Sequence, residues 1–147
     1  MSTTETPTGA ILQRDQQTYA IVPRTPVGLI SPEVLEALNT VVKKYAIPIV
    51  KITSGQRLAL VGIKPEDVDA IWKDLGTDVG QALALCVHFV QACPGTSVCK
   101  FGVQDSLGLG LEMEKLYVGR DLPDKFKLSV SDCPFCCSER FVRDLGV

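Results

Sequence analysis

The chain has 147 residues, 46% of them apolar and 22% charged, with a net charge of −2 at neutral pH. That balance suits one modest globular domain, or two small subdomains sharing a core. It excludes a nucleic-acid footprint, which needs a basic face.

No apolar run reaches the length needed to span a bilayer, and Met1 to Ala10 lacks the apolar segment of a signal peptide. The expected compartment is the cytoplasm. Six cysteines in a reducing compartment are expected to bind metal or stay free rather than pair.

In chain order, residues 1–17 read as a disordered polar tail. The first strand is expected over 18–22, rich in Tyr, Ile and Val. A turn-rich connection follows, with Pro23, Pro26 and Gly28. Ser31 and Pro32 then mark a helix start, one by capping and the other by its preset backbone angle. Val34, Leu35, Leu38, Val41, Val42 and Tyr45 follow at helical spacing and predict one buried stripe. Lys43 and Lys44 suit the helix C-terminus, and Pro48 closes it.

Residues 47–53 and 57–63 predict a hairpin with Ser54, Gly55 and Gln56 in its turn. Pro65, Glu66 and Asp67 open a second helix whose inner face is Val68, Ile71, Trp72 and Leu75, with Gly76 as its C-terminal cap. Residues 18–76 therefore read as a βαββα unit.

After a linker at 77–81, the apolar run from Ala82 leans toward a strand over 86–91. His88 and Cys86 within it read as structural. Residues 102–117 carry a helical pattern diluted by Gly108 and Gly110, which suits close approach of a flat cofactor or another backbone and, equally well, a tight helix–sheet contact. A strand is expected over 125–130 and a short helix over 137–144. The whole is expected to be α+β, a compact antiparallel half followed by an α/β module.

Four cysteines in two loops dominate this second half. Cys93 and Cys99 are separated by five residues, Cys133 and Cys137 by three. Four thiolates from two loops suit an iron–sulfur cluster. Zinc takes four thiolates as well, but its usual pairs leave two to four residues between ligands, so the first pair is wide for zinc.

With these residues in view, the chain resembles the siroheme- and [4Fe–4S]-containing nitrite and sulfite reductases. The likeness is carried by Thr53-Ser54-Gly55-Gln56-Arg57, by Ala92-Cys93-Pro94-Gly95-Thr96 with Cys99 and Gly102 to Ser106, and by Cys133-Pro134 with Cys137. It runs over nearly the whole chain. It implies a ferredoxin-like half-domain over 18–76 and a siroheme- and cluster-binding module over 82–147, with further sequence after Val147 enclosing the siroheme.

By the same resemblance, Cys93, Cys99, Cys133 and Cys137 ligate a [4Fe–4S] cluster, and Cys137 shares its sulfur with the siroheme iron. The substrate is a small oxyanion, nitrite or sulfite, met by cationic side chains. Arg57 and Lys51 are the catalytic candidates; Arg24, Thr53, Gln56 and Lys100 are candidates for holding the macrocycle. An external electron-donor protein is implied, because no nicotinamide or flavin fingerprint is present. A partner subunit or a second copy is expected to supply the paired half-domain.

Two departures stand out. Many family members carry an anion-binding arginine where this chain has Gly55, as the nitrite-reductase-like branch often does, and Phe135 and Cys136 stand where many relatives have Asn and a small residue. Two other readings stay open: a cluster-bearing electron-transfer or siroheme-handling module without turnover, and a zinc-stabilised structural domain.

Overall fold

The computed structural model describes residues 6–76 and 85–147. The expected linker at 77–81, and the start of the apolar run at Ala82, lie outside the described residues. The chain divides into two units: Met1–Thr25 with Ile30–Leu83, and Pro26–Leu29 with Ala84–Val147.

The first unit is a four-stranded antiparallel sheet carrying two helices. Its strands are β1 (Ala10–Leu12), β2 (Tyr19–Ile21), β3 (Ile49–Ile52) and β4 (Leu58–Ile63), in the order β1-β2-β4-β3. Helix α1 (Pro32–Lys44) starts where Ser31 Oγ accepts the Val34 amide at 3.3 Å. Helix α2 (Val68–Leu75) ends at Gly76, whose φ of 62° is the left-handed conformation a C-terminal cap favours. Leu38 and Val41 of α1 join Val68, Ile71, Trp72 and Leu75 of α2 over Tyr19, Ile21, Leu60 and Ile63 of the sheet. Trp72 is thus a core anchor.

Three expectations for this unit are corrected. Residues 10–12, expected in a disordered tail, form β1 and pair with β2, and Ala10 is fully buried. Leu35, expected in the buried stripe of α1, is 58% exposed, because the helix is half-turned away from the sheet at that position. The hairpin strands are also shorter than predicted, since β3 begins only after Pro48, which cannot donate to a ladder.

The helices are pinned to each other at one end by side chains. Asp74 accepts from Lys44 Nζ at 2.6 Å and from the Tyr45 hydroxyl at 2.8 Å. The Lys44 bond, then the Tyr45 bond, hold the Asp74 carboxyl below its ordinary range; Lys44 is correspondingly raised. A carboxyl depressed in the folded state contributes stability above its unfolded pKa and loses it as the pH falls through the folded value. Asp74→Asn is therefore expected to lower Tm slightly at neutral pH, with the gap from the parent closing in acid. Thermal melts at pH 7 and below pH 3.5 check this, and a gap that stays constant would count against it.

The second unit is a βαβ layer. Strands β5 (Val87–Ala92), β6 (Phe126–Val130) and β7 (Leu145–Gly146) run parallel in that order, and α3 (Ser106–Tyr117) connects the first two. Val87, Val90, Ala92, Leu128 and Val130 pack against Met113 of α3. Val27 completes this core, 3% exposed and at a φ of 48° that a β-branched residue rarely adopts. Pro26–Leu29 thus packs with the second unit although the sequence places it inside the first.

Val27 explains one of the two helix glycines. A Cβ at Gly110 would come within 2.8 Å of Val27 Cγ1 and 2.9 Å of Ala92 Cβ. Gly108 instead clears the Asp105 carboxylate, which caps the helix by accepting the Gly108 amide at 2.9 Å. Both glycines serve helix packing and capping, rather than a flat cofactor.

Cys86 is buried and bridges to Asp121 across a short antiparallel contact. The helix expected over 137–144 is absent. In its place stand turns and a 3-10 segment (Arg140–Val142), and the residues just after it form β7, pairing with Leu128 and Ser129.

Candidate metal centre

Parallel pairing is what brings the two cysteine loops together. In β5 and β6 Ala92 stands opposite Val130, so both strands end at the same edge of the sheet. In open α/β sheets ligands gather at this carboxyl edge. Cys93 is the first residue beyond β5, and its amide donates to Val130 O at 3.1 Å. Cys133 lies three residues beyond β6.

The first loop folds tightly on itself. A 3-10 turn (Gly95–Ser97) returns the chain, the Cys99 amide donates to Gly95 O at 3.0 Å, and Thr96 donates to Gln104 O at 3.1 Å. Gly95 has a φ of +56°, and a Cβ there would collide with the Ser106 hydroxyl and come within 2.7 Å of Gln104 O. Only glycine fits this position.

The second loop is held from beneath by three buried serines. Ser129 Oγ donates to Ser138 O, Ser138 Oγ to Val130 O, and the Ser131 and Ser138 hydroxyls meet, each at 2.5 Å. Within the loop the Cys136 amide donates to Cys133 O at 3.3 Å.

Cys93, Cys99, Cys133 and Cys137 all line one hollow of about 90 Å³, with Pro94, Phe101, Phe135, Ser131 and Asp132 as its other walls. Cys93 is buried, Cys99 and Cys133 are half-buried, and Cys137 is exposed. Phe101 and Phe135 form a tilted ring pair at 5.2 Å. Lys100 Nζ lies 4.8 Å from the ring centre of Phe101, one of the walls.

Asp132 accepts from Cys93 Sγ at 3.0 Å and from the Val103 amide at 3.1 Å. The Cys93 bond is the larger cause of its carboxyl standing below the ordinary aspartate range. Cys136 is not among the lining residues and has a φ of +56°.

Among the described residues, no three His, Cys, Asp or Glu side chains converge on a point as a single ion would require. The thiols instead ring a space. Four sulfur donors around one hollow, the first of them buried, fit a polynuclear iron–sulfur core, which wants thiolate at its corners.

The other candidates lie in the first unit, around the hairpin turn. Thr53 Oγ1 accepts the Arg57 amide at 3.2 Å, and the Thr53 amide donates to Arg57 O at 2.7 Å. Gln56 takes the left-handed conformation at φ 57°, and its carbonyl accepts from Thr25 Oγ1 at 3.0 Å. The proline-rich loop bearing Arg24 is thereby tied to the turn. Thr53, Gln56 and Arg57 thus share the hairpin turn, with Arg24 beside Thr25 in the loop tied to it, whereas Lys51 is exposed on the edge strand β3.

The sequence reading missed Asp132, Ser106 and the serine clasp. A usable signal was present in Leu128-Ser129-Val130-Ser131, where hydroxyls alternate with apolar residues just before the ligand loop.

A parallel sheet whose carboxyl edge carries four thiols around one hollow defines a domain shaped for a thiolate-held inorganic cluster. The family model of the nitrite/sulfite reductase ferredoxin-like half domain matches residues 11–77. That of the nitrite and sulphite reductase 4Fe-4S domain matches residues 84–147.

The chain is 62% identical over 141 residues to an assimilatory-type sulfite reductase of Nitratidesulfovibrio vulgaris, across 96% of this chain and 65% of that protein. It is 43% identical over 138 residues to a nitrite reductase [NAD(P)H] of Bacillus subtilis, across 94% of this chain and 17% of that one. It therefore spans just under two thirds of the first relative and about a sixth of the second.

Among solved structures, Mycobacterium tuberculosis NirA superposes with a TM-score of 0.71 at 25% identity, over 88% of this chain and 24% of that one. A dissimilatory sulfite reductase I superposes with a TM-score of 0.74 over 88% of this chain and 32% of that one; at 21% identity it shows the fold alone. The chain belongs to the nitrite and sulfite reductase family and carries its ferredoxin-like half domain and its 4Fe-4S domain. In that family the 4Fe-4S domain binds a [4Fe–4S] cluster coupled to siroheme. No described helix is long and apolar enough to cross a membrane.

Proposed function

We propose that this chain reduces a small oxyanion, sulfite in preference to nitrite, as all or part of a siroheme- and [4Fe–4S]-dependent reductase. The observation that carries the reading is the single hollow lined by Cys93, Cys99, Cys133 and Cys137 at the carboxyl edge of β5 and β6. The higher identity to a sulfite reductase than to a nitrite reductase favours sulfite.

The cluster and the siroheme supply the electron storage and the oxyanion-binding iron. The four cysteines hold the cluster. Cys137, the exposed thiol, has the open side needed to share its sulfur with a second metal.

Arg57 and Lys51 bind the substrate anion and stabilise the charge that builds on it. Arg24, Thr53, Gln56 and Lys100 meet the macrocycle carboxylates. An external protein in the cytoplasm donates the electrons, and a second half-domain, from a partner or another copy, completes the enclosure.

Purification without oxygen tests the reading. About five irons and about four acid-labile sulfides per chain, the fifth iron being that of the siroheme, together with intense visible bands of a macrocycle, are expected. Stoichiometric zinc and a colourless protein would overturn it.

A further inference from the structure

Cys93 is the most enclosed of the four proposed ligands at 6% exposure, and its sulfur lies between two side chains given no role above. Ser106 Oγ is 3.1 Å from Cys93 Sγ, and Asp132 Oδ1 is 3.0 Å from it. Both are built in. Ser106, 1% exposed, opens α3 and donates its hydroxyl to Cys93 O at 2.8 Å. Asp132, 7% exposed, is anchored through its other oxygen to the Val103 amide. A second cavity of about 130 Å³, lined in part by Gln104, Asp105, Ser131 and Arg140, backs the pair with polar groups. Gly95 belongs to the same arrangement, because a Cβ there would push the Ser106 hydroxyl away from the sulfur.

The two neighbours act in opposite senses once Cys93 is a ligand. Ligation removes the thiol proton, so Asp132 loses the donor it now accepts from and faces the thiolate as charge against charge. By turning about its Cβ–Oγ bond the Ser106 hydroxyl exchanges Cys93 O for the sulfur as its acceptor, without moving its backbone. Hydrogen bonds to cluster sulfurs and charge close by set the reduction potential of an iron–sulfur centre.

We propose that Ser106 and Asp132 are an opposed pair that tunes the reduction potential of the cluster through Cys93, the hydroxyl raising it and the carboxylate lowering it. The step concerned is the entry of one electron into the cluster, with no bond made or broken. The inference rests on the four-thiol reading of the site.

The test uses the full chain with its cluster assembled without oxygen, titrated at a mediator-coupled electrode and followed by visible absorption and electron paramagnetic resonance. Iron and sulfide are measured first. Ser106→Ala is expected to lower the reduction equilibrium constant about tenfold, which for one electron is about 59 mV. Asp132→Asn turns an acceptor into a donor and removes the charge, and is expected to raise the constant by at least as much.

A role confined to holding the loop would loosen the cluster without producing shifts of opposite sign. Shifts in the same direction, or potentials unchanged with the cluster intact, overturn the proposal. If Ser106→Ala fails to retain iron, the Asp132→Asn shift decides alone, and a potential at or below that of the parent overturns it. A parent chain that takes up no iron and sulfide removes the four-thiol reading as well, and the metal analysis shows that before any potential is read.

Discussion

Cys93→Ser is expected to leave the protein folded and nearly free of iron and sulfide. A serine hydroxyl is a far poorer ligand for iron than thiolate, and Cys93 is the proposed ligand held in place by its own amide on Val130 O and by the side chains on either side of it. Loss of a ligand should exceed the roughly 10–100-fold loss of metal affinity that follows removal of an outer partner. Cys136→Ser is the matching control. Its side chain is not among those lining the hollow, so iron and sulfide are expected to match the parent. Metal analysis of the two variants prepared side by side checks both, and full iron in the Cys93 variant would remove this residue from the ligand set.

Gly95→Ala is expected to be strongly destabilising. The left-handed φ of +56° costs a residue with a Cβ about 1–2 kcal/mol by itself. The new atom would also meet Ser106 Oγ, Gln104 O and the Ser106 amide. Two of these are backbone atoms that cannot swing aside, so overpacking adds about 1–3 kcal/mol. A loss of roughly 2–5 kcal/mol in denaturant unfolding is expected, together with weaker cluster retention, since the strain falls between Cys93 and Cys99. A midpoint within experimental error of the parent would show that the loop has more room than its contacts imply.

Much of the first unit was legible residue by residue. Ser31 with Pro32, and Gly76, mark helix ends through local chemistry, and each does so here. Strand β1 was not legible, because three residues beside a polar tail carry no periodicity; pairing with β2 alone makes them a strand. Leu35 and Leu38 look alike in the sequence, yet only the position of the sheet decides which of them is covered. The C-terminal residues failed for a similar reason. Residues 137–144, expected as a helix, form turns and a 3-10 segment, and only the two residues after them pair with the free edge of β6 as β7.

The cysteine spacing announced a metal-holding chain before any fold was known, because the type and number of donors are properties of residues. Where those donors meet is a property of the sheet. Parallel β5 and β6 deliver both loops to one edge, Val27 crosses into a core that its neighbours in the chain do not share, and Gly110 is small so that it can. Ser106 and Asp132 reach the sulfur of Cys93 from 13 and 39 residues away. No local pattern encodes contacts of that separation, since they exist only once the long-range pairings that carry them have formed.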